Sequence, residues 1–403
     1  MVFWLASVPY NSLTLSMAVL DNLNFDGIRC YQAEDFERVH SRLVSDPALW
    51  EVASKLPFEG KDYLEKACRS ASSLQEFHRG FVIPLLSALA DNSVENLEYQ
   101  GFEDMDPHKG YLFISNHRDI VMDTTLLNVL LARQSLPPSQ TAIGDNLLAY
   151  PWIQDLVRLS KCFIVKRGLS GREQMEASIQ LSAYIRQSIV QNHDPVWLAQ
   201  REGRAKDNDD RTQPSVLKML NLSGDSNVIQ NLSSLNLVPL SITYEYDPCD
   251  YLKAKEMQLK RDIEGFHKSQ EDDLLNMRTG IMEFKGRVFY SADFHAAEEL
   301  KQLDAAMPRK EAFEQVASLL DRKIHLGYHL YPNQYIAADL LEGGRQFEED
   351  YTMDERQRFT DYIERQLNKI DLPESVKDRS FLRKKLLEMY ANPVKNKRWA
   401  SAQ

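Results

Sequence analysis

YLFISNHRDIVMDTTLLNVLLA, residues 111 to 132, decides how the chain is read. Its first five residues are an apolar run short enough for a buried strand. Its last nine, TTLLNVLLA, carry apolar residues at helical spacing. Between them stand Asn116, His117, Arg118, Asp119 and Asp123. A strand that stops in polar residues and restarts as a helix is half of a βαβ unit. In open α/β sheets the loop after such a strand is where ligands bind.

Further along, the same alternation returns. CFIV (162–165), PVWLA (195–199), LVPLSITY (237–244) and GRVFY (286–290) read as strands. REQMEASIQLSAYIRQSIV lies between the first two of these, with Met175, Ile179, Ile185 and Ile189 roughly on one side. Buried strands alternating with amphipathic helices predict an α/β fold, a largely parallel sheet with flanking helices. Residues 26–95 read as a helical N-terminal region, in which Leu74, Phe77, Phe81, Leu85 and Leu89 share a face and Pro84 should bend the chain. The α/β domain is expected over 96–295, and a helical C-terminal region with a basic tail over 296–403. Residues 1–25 read as a poorly specified extension. Pro9, Asn11, Ser12 and Thr14 break its apolar run, so it is not expected to span a membrane.

The composition narrows the classes. The 403 residues are 43% hydrophobic and carry a net charge of −11. So acidic a chain is a poor general binder of nucleic acid, which needs concentrated Lys and Arg. Cys30, Cys68, Cys162 and Cys249 are scattered without a CxxC pair, as expected of free thiols in a reducing compartment and not of a metal site.

His117-Arg118-Asp119 spells the start of a kinase catalytic loop, but the Asn required five positions after the Asp is Thr124. No Asp-Phe-Gly follows, since the nearest string is Asp293-Phe294-His295. A GxxxxGK[ST] phosphate loop and a Gly-x-Ser-x-Gly elbow are both missing. KDNDDR (206–211) lacks the glycine of a calcium loop and reads as an exposed polar loop.

Three strands end in functional-looking polar clusters. YLFIS leads to Asn116 and His117, CFIV to Lys166 and Arg167, and PVWLA to Gln200, Arg201, Glu202, Gly203 and Arg204. Parallel strands would deliver all three to one rim. With the Val-Pro strand LVPLSITY, these clusters make four blocks in order across residues 115 to 244, about a third of the chain. In this the sequence resembles the glycerolipid acyltransferases, whose best-known members are the lysophosphatidate acyltransferases.

The resemblance implies transfer of a fatty acyl group from an acyl thioester to a hydroxyl. His117 would be the general base, held by a carboxylate, with the substrate hydroxyl as nucleophile. It implies that Arg167, Glu202, Gly203 and Arg204 bind the phosphate-bearing acceptor: the arginines by bidentate hydrogen bonds, Glu202 by orienting an arginine or hydroxyl, and Gly203 by letting backbone approach closely. Arg118 and Lys166 flank the site. The chain departs from the family in one respect. The family places the Asp five positions after the His, with four residues between, a position held here by Met122. Asp123, one residue further on, is the first choice as partner, because it can sit at a helix start and reach back. Asp119 is the reserve.

The expected acceptor is a lysophospholipid, 1-acylglycerol 3-phosphate giving phosphatidate. Glycerol 3-phosphate, an amino-acid lipid, or an inactive membrane-associated scaffold remain open. The donor is acyl-CoA or acyl carrier protein, with no bound cofactor or metal and no nucleic-acid partner expected. Lipid substrates imply peripheral attachment at the cytoplasmic, inner face of the cell membrane. The basic stretch 377–399, ending in Trp399, suits an anionic bilayer.

Overall fold

The computed structural model describes residues 23–55 and 60–403. The expectation for residues 1–25 therefore lies almost wholly outside the described residues.

Seven strands form one sheet: β1 Asn96–Gln100, β2 Leu112–Ser115, β3 Gln140–Gly144, β4 Cys162–Val165, β5 Val196–Ala199, β6 Leu237–Tyr244 and β7 Arg287–Ala292. The order is β1-β7-β6-β2-β5-β3-β4. Strands β6, β2, β5, β3 and β4 run parallel to one another. β7 pairs antiparallel with β6, and β1 runs parallel to β7. This is the largely parallel α/β sheet that the apolar runs predict. The five strands read from sequence are all present. β1 and β3 are additional: NLEYQ is half exposed at the sheet edge, and QTAIG is only partly buried, so neither shows a continuous apolar run.

Both faces of the sheet are covered, as a mostly parallel sheet requires. Successive residues point to opposite faces. Leu112 and Ile114 join one core with Val196, Leu237 and Phe163, while Phe113 joins the other with Trp197, Val238 and Leu240.

The N-terminal helices α1 Phe36–Ser45, α2 Pro47–Ser54, α3 Lys61–Ser70 and α4 Ile83–Ser93 build a separate small core. Phe77 and Phe81 lie inside it, which leaves them no surface for a membrane. Pro84 stands at the second residue of α4, directly after a wide turn over His78–Val82, so the chain bends where its missing N–H costs least. Next come α5 Met122–Arg133, α6 Pro151–Leu159 and α7 Gly171–Arg186. α6 ties the N-terminal region to the sheet, because the guanidinium of Arg42 on α1 donates twice to the buried carboxylate of Asp155 at 2.6 and 2.5 Å.

Beyond β6 follow α8 Asp250–Asp262, α9 Gln270–Met282, α10 Arg309–Leu326, α11 Pro332–Glu342, α12 Met353–Lys369 and α13 Arg379–Ser401. α13 is a core helix. Leu382, Leu386, Met389 and Tyr390 are buried among α11 and α12 residues, including Ile336, Phe359 and Ile363. Its basic residues are largely engaged: Arg383 pairs with Glu364, and Lys385 with Glu388 at 2.6 Å. Trp399 is half-buried, edge-on to His325 and under the guanidinium of Arg211. The tail thus spends its aromatic residue and much of its charge inside the protein. Lys384, Lys395 and Arg398 remain toward solvent. No helix among the described residues is long and apolar enough to cross a membrane.

Candidate functional site

The carboxyl ends of β2, β5, β4 and β6 share one rim because those strands are parallel. The amino end of β7 meets the same rim because it runs the other way. The turn from β2 into α5 is the centre of this edge.

Asn116 fixes where the turn begins. Its side chain bonds the backbone of Ile242 on β6 both ways, donating to the carbonyl and accepting from the N–H, each at 2.8 Å. His117 comes next, with its ring edge-on to Trp197 and its side chain 14% exposed. Nδ1 donates to Oδ2 of Asp123 at 2.7 Å. The same oxygen accepts the backbone N–H groups of Arg118, at 2.7 Å, and Asp119, at 3.1 Å. The other carboxylate oxygen accepts from the Tyr244 hydroxyl at 2.9 Å. Tyr290 donates to the Asp123 carbonyl at 2.7 Å. Asp123 is the second residue of α5 and is fully buried.

With Nδ1 committed to the carboxylate, Nε2 is the basic nitrogen of the ring. Burial lowers the His117 pKa below its ordinary value, against the upward pull of Asp123, while Arg204 lowers it further. The imidazole is therefore neutral near pH 7 and able to accept a proton.

Of the two aspartates, Asp123 is the one that faces His117. Asp119 turns the other way. Its Oδ1 accepts the N–H groups of Val121 at 2.9 Å and Met122 at 2.8 Å, closing the first turn of α5. This is helix-capping geometry. Its pKa is raised, by burial first and by the neighbouring Asp123 second. The extra residue between His117 and Asp123 is thus absorbed by a turn that Asp119 pins. Gly280 on α9 presses against the Asp119 carboxylate, so a Cβ there would overlap it.

The acceptor-binding candidates divide. Arg167 and Glu202 stand at the ends of β4 and β5, half exposed, and form an ion pair across the rim. The Arg167 N–H also donates to Asp145 after β3 at 3.0 Å. Lys166 is exposed beside it. Gly203 adopts φ +67°, with open space where a Cβ would be. The positive φ, which glycine adopts at little cost, accounts for the residue.

Arg204 is not on the open rim. It is 7% exposed and donates to Asn276 of α9 at 2.9 Å, at the back of the His117 turn. Its neighbours there include Asp119, Asp247 and Cys249. Arg118 is equally buried and pairs with Asp210. That pair corrects the reading of residues 206–211 as an exposed loop. Asp210 and Asn208 are buried, and Asn208 donates to the Met389 carbonyl on α13 at 2.8 Å.

Sequence reasoning did not find the supports of the turn. Tyr244 and Tyr290 end up at the carboxylate because β6 and β7 flank β2 on that side. Lys253, fully buried on α8, donates to the Arg118 carbonyl at 3.0 Å and pairs with Asp247. Lys285, at the amino end of β7, is also fully buried, and burial lowers its pKa to about 8. Nothing in the sequence around Lys253 or Lys285 marks either lysine as buried.

Comparison with known proteins adds the following. Residues 96–240 match the family model described as Acyltransferase. No curated protein matches the chain. Among solved structures, a 1-acyl-sn-glycerophosphate (LPA) acyltransferase, PlsC, from Thermotoga maritima aligns with 72% of this chain and 88% of its own, at 11% identity and a TM-score of 0.36. That likeness is loose.

Proposed function

We propose, from the premise that residues 96–240 form a domain of the acyltransferase family, that the protein moves a fatty acyl group from an acyl thioester to the free hydroxyl of 1-acylglycerol 3-phosphate, giving phosphatidate. The observation that supports this best is the His117 Nδ1 to Asp123 Oδ2 hydrogen bond of 2.7 Å at the carboxyl end of β2.

In this reading Nε2 of His117 takes the proton of the acceptor hydroxyl as its oxygen attacks the thioester carbonyl. The tetrahedral intermediate expels the thiolate, which leaves with a proton from the imidazolium. Asp123, held by two backbone N–H groups and Tyr244, stabilises the imidazolium in between. No covalent enzyme intermediate is needed. Arg167 supports recognition of the acceptor phosphate, because a guanidinium offers two parallel donors to one phosphate. Glu202 occupies that guanidinium until the phosphate displaces it. Arg204, packed behind the turn, works against protonation of His117.

The acyl donor is acyl-CoA or acyl carrier protein, as substrate. The enzyme works at the cytoplasmic face of the membrane, where its lipid substrates lie, and attaches peripherally. Purified protein, incubated with an acyl thioester and a panel of acceptors, should yield phosphatidate by mass spectrometry. Full activity in His117→Ala would sink the mechanism. Preference for glycerol 3-phosphate or an amino-acid lipid would change the acceptor and keep the chemistry. For the membrane, the test is liposome binding by Lys384→Gln, Lys395→Gln and Arg398→Gln combined. Removing α13 outright would take out part of the core. Binding to anionic vesicles that is unaltered in the triple variant would exclude the tail as the contact.

A further inference from the structure

Two residues beyond Arg204, the chain places Lys206 against α8. Its ammonium lies 3.1 Å from Oε2 of Glu256. Lys268, from the connection between α8 and α9, reaches the same oxygen at 3.3 Å. Lys260, one turn along α8, takes the other oxygen at 2.8 Å. Glu256 is 5% exposed, while the side chains of Lys206 and Lys268 are 21% and 19% exposed. Three ammonium groups therefore converge on one buried carboxylate. Among the described residues, the one further acid in ion-pair contact is Asp273, 3.5 Å from Lys268. In a chain of net charge −11, this is a local excess of positive charge, partly screened from water. It stands beside Arg204, itself buried with its Nη1 unpartnered.

We propose that Lys206, Lys260 and Lys268 form an anion site for a phosphate-bearing group, with Glu256 as the counter-ion that keeps the lysines together when the site is empty. A phosphate offers several oxygens and up to two negative charges. It can therefore satisfy ammonium groups that one carboxylate must share.

The state of the cluster points the same way. Burial first, then Arg204 and Lys268, lower the Lys206 pKa to about 7, so part of its charge is lost near neutrality. Burial works to raise the Glu256 pKa, but Lys206, Lys260 and Lys268 outweigh it and hold it at about 2. The cluster is short of negative charge, and an arriving anion would restore the proton to Lys206.

The site lies behind the His117 turn. Glu256 lies one turn beyond Lys253, whose ammonium bonds the Arg118 carbonyl in the His117 turn. A phosphate here could belong to the nucleotide part of a thioester donor or to a lipid acceptor. Its recognition chemistry is shared; the anion site stands without the acyl-transfer reading, while its assignment to donor or acceptor rests on that reading.

Isothermal titration of the full chain at pH 7.5 tests it, with adenosine 3′,5′-bisphosphate, glycerol 3-phosphate and inorganic phosphate as probes. In two buffers of different ionisation enthalpy, binding should be accompanied by net proton uptake. Lys206→Gln with Lys268→Gln should weaken binding at least tenfold, and Glu256→Gln should tighten it. Should the glutamine pair fail to fold, Lys206→Arg with Lys268→Arg should retain binding. Tightest binding by the bisphosphate assigns the site to the donor, and by glycerol 3-phosphate to the acceptor. Affinity unchanged in the glutamine pair would overturn the proposal.

Discussion

The His117 turn and the Arg167–Glu202 corner lie on the same rim but are built in opposite ways. In the turn, the Asp123 carboxylate is fully buried and accepts four hydrogen bonds from His117, Arg118, Asp119 and Tyr244. The corner is one ion pair between side chains that are 38% and 44% exposed. Preorganised, dry contacts suit a step in which charge appears and must be met without delay. An exposed pair is weak, typically ~0–1 kcal/mol, and so can be exchanged for a ligand. On the proposed function, the difference suits the first region to chemistry and the second to recognition.

Changes in the turn should have the largest effects. His117→Ala should lower kcat by ~10²–10⁴, the usual worth of general-base help, with the thermal melt little changed because the ring is at the edge of the core. Asp123→Asn should fall within the same range, since its remaining oxygen can still accept the backbone N–H groups while the charge opposite the imidazolium is gone. Asp119→Asn is the sharper control. An asparagine caps a helix about as well as an aspartate, so kcat should stay within a few-fold. Equal losses in the two aspartate variants would erase the distinction drawn between them.

Acidity probes the same turn. The folded pKa of His117 lies below its ordinary value. Protonation removes the base, so kcat/KM should fall tenfold per unit below that pKa and stay flat above it through pH 7. The acid limb should therefore appear below about pH 6.5. A limb above that value would mean that the ring is less shielded than the turn implies.

The corner should respond in KM. Arg167→Ala should raise KM for a phosphate-bearing acceptor by about tenfold, within what a charged hydrogen bond contributes, and leave kcat nearly unchanged. Glu202→Gln should have the smallest effect. It frees Arg167, so KM should drop by no more than a few-fold, and the melting temperature should not move. A fall in kcat from either corner variant would mean that recognition and chemistry are not divided between the two regions.

The two regions also differ in how far they could be read from sequence. His117 and its two candidate aspartates sit in one continuous string at a strand end, so the turn was visible, displaced residue included. Its supports were not, because Tyr244, Lys253 and Tyr290 arrive from over 120 residues away and carry no local signal. At the corner, Arg167 and Glu202 were visible as strand-end residues. Arg204, two positions on, looked equivalent. Its burial depends on Asn276 across α9, which no spacing rule relates to it. The sheet followed the same rule: apolar runs revealed the five most buried strands, and β1 and β3, partly exposed, left no pattern.

α13 carries a consequence for how the protein is made. The Asp247 N–H bonds the Tyr390 hydroxyl on that helix at 3.1 Å, and Asn208 and Arg211 reach Met389 and Asn396 there. Through Asp247 and Lys253 these contacts lead to the backbone of the His117 turn. During synthesis the residues of the turn leave the ribosome long before the helix that braces them. A nascent chain that has reached residue 300 holds the whole sheet but lacks that brace. Competence should therefore arrive late, after residue 396 has emerged, and the unfinished protein should be silent toward its substrates.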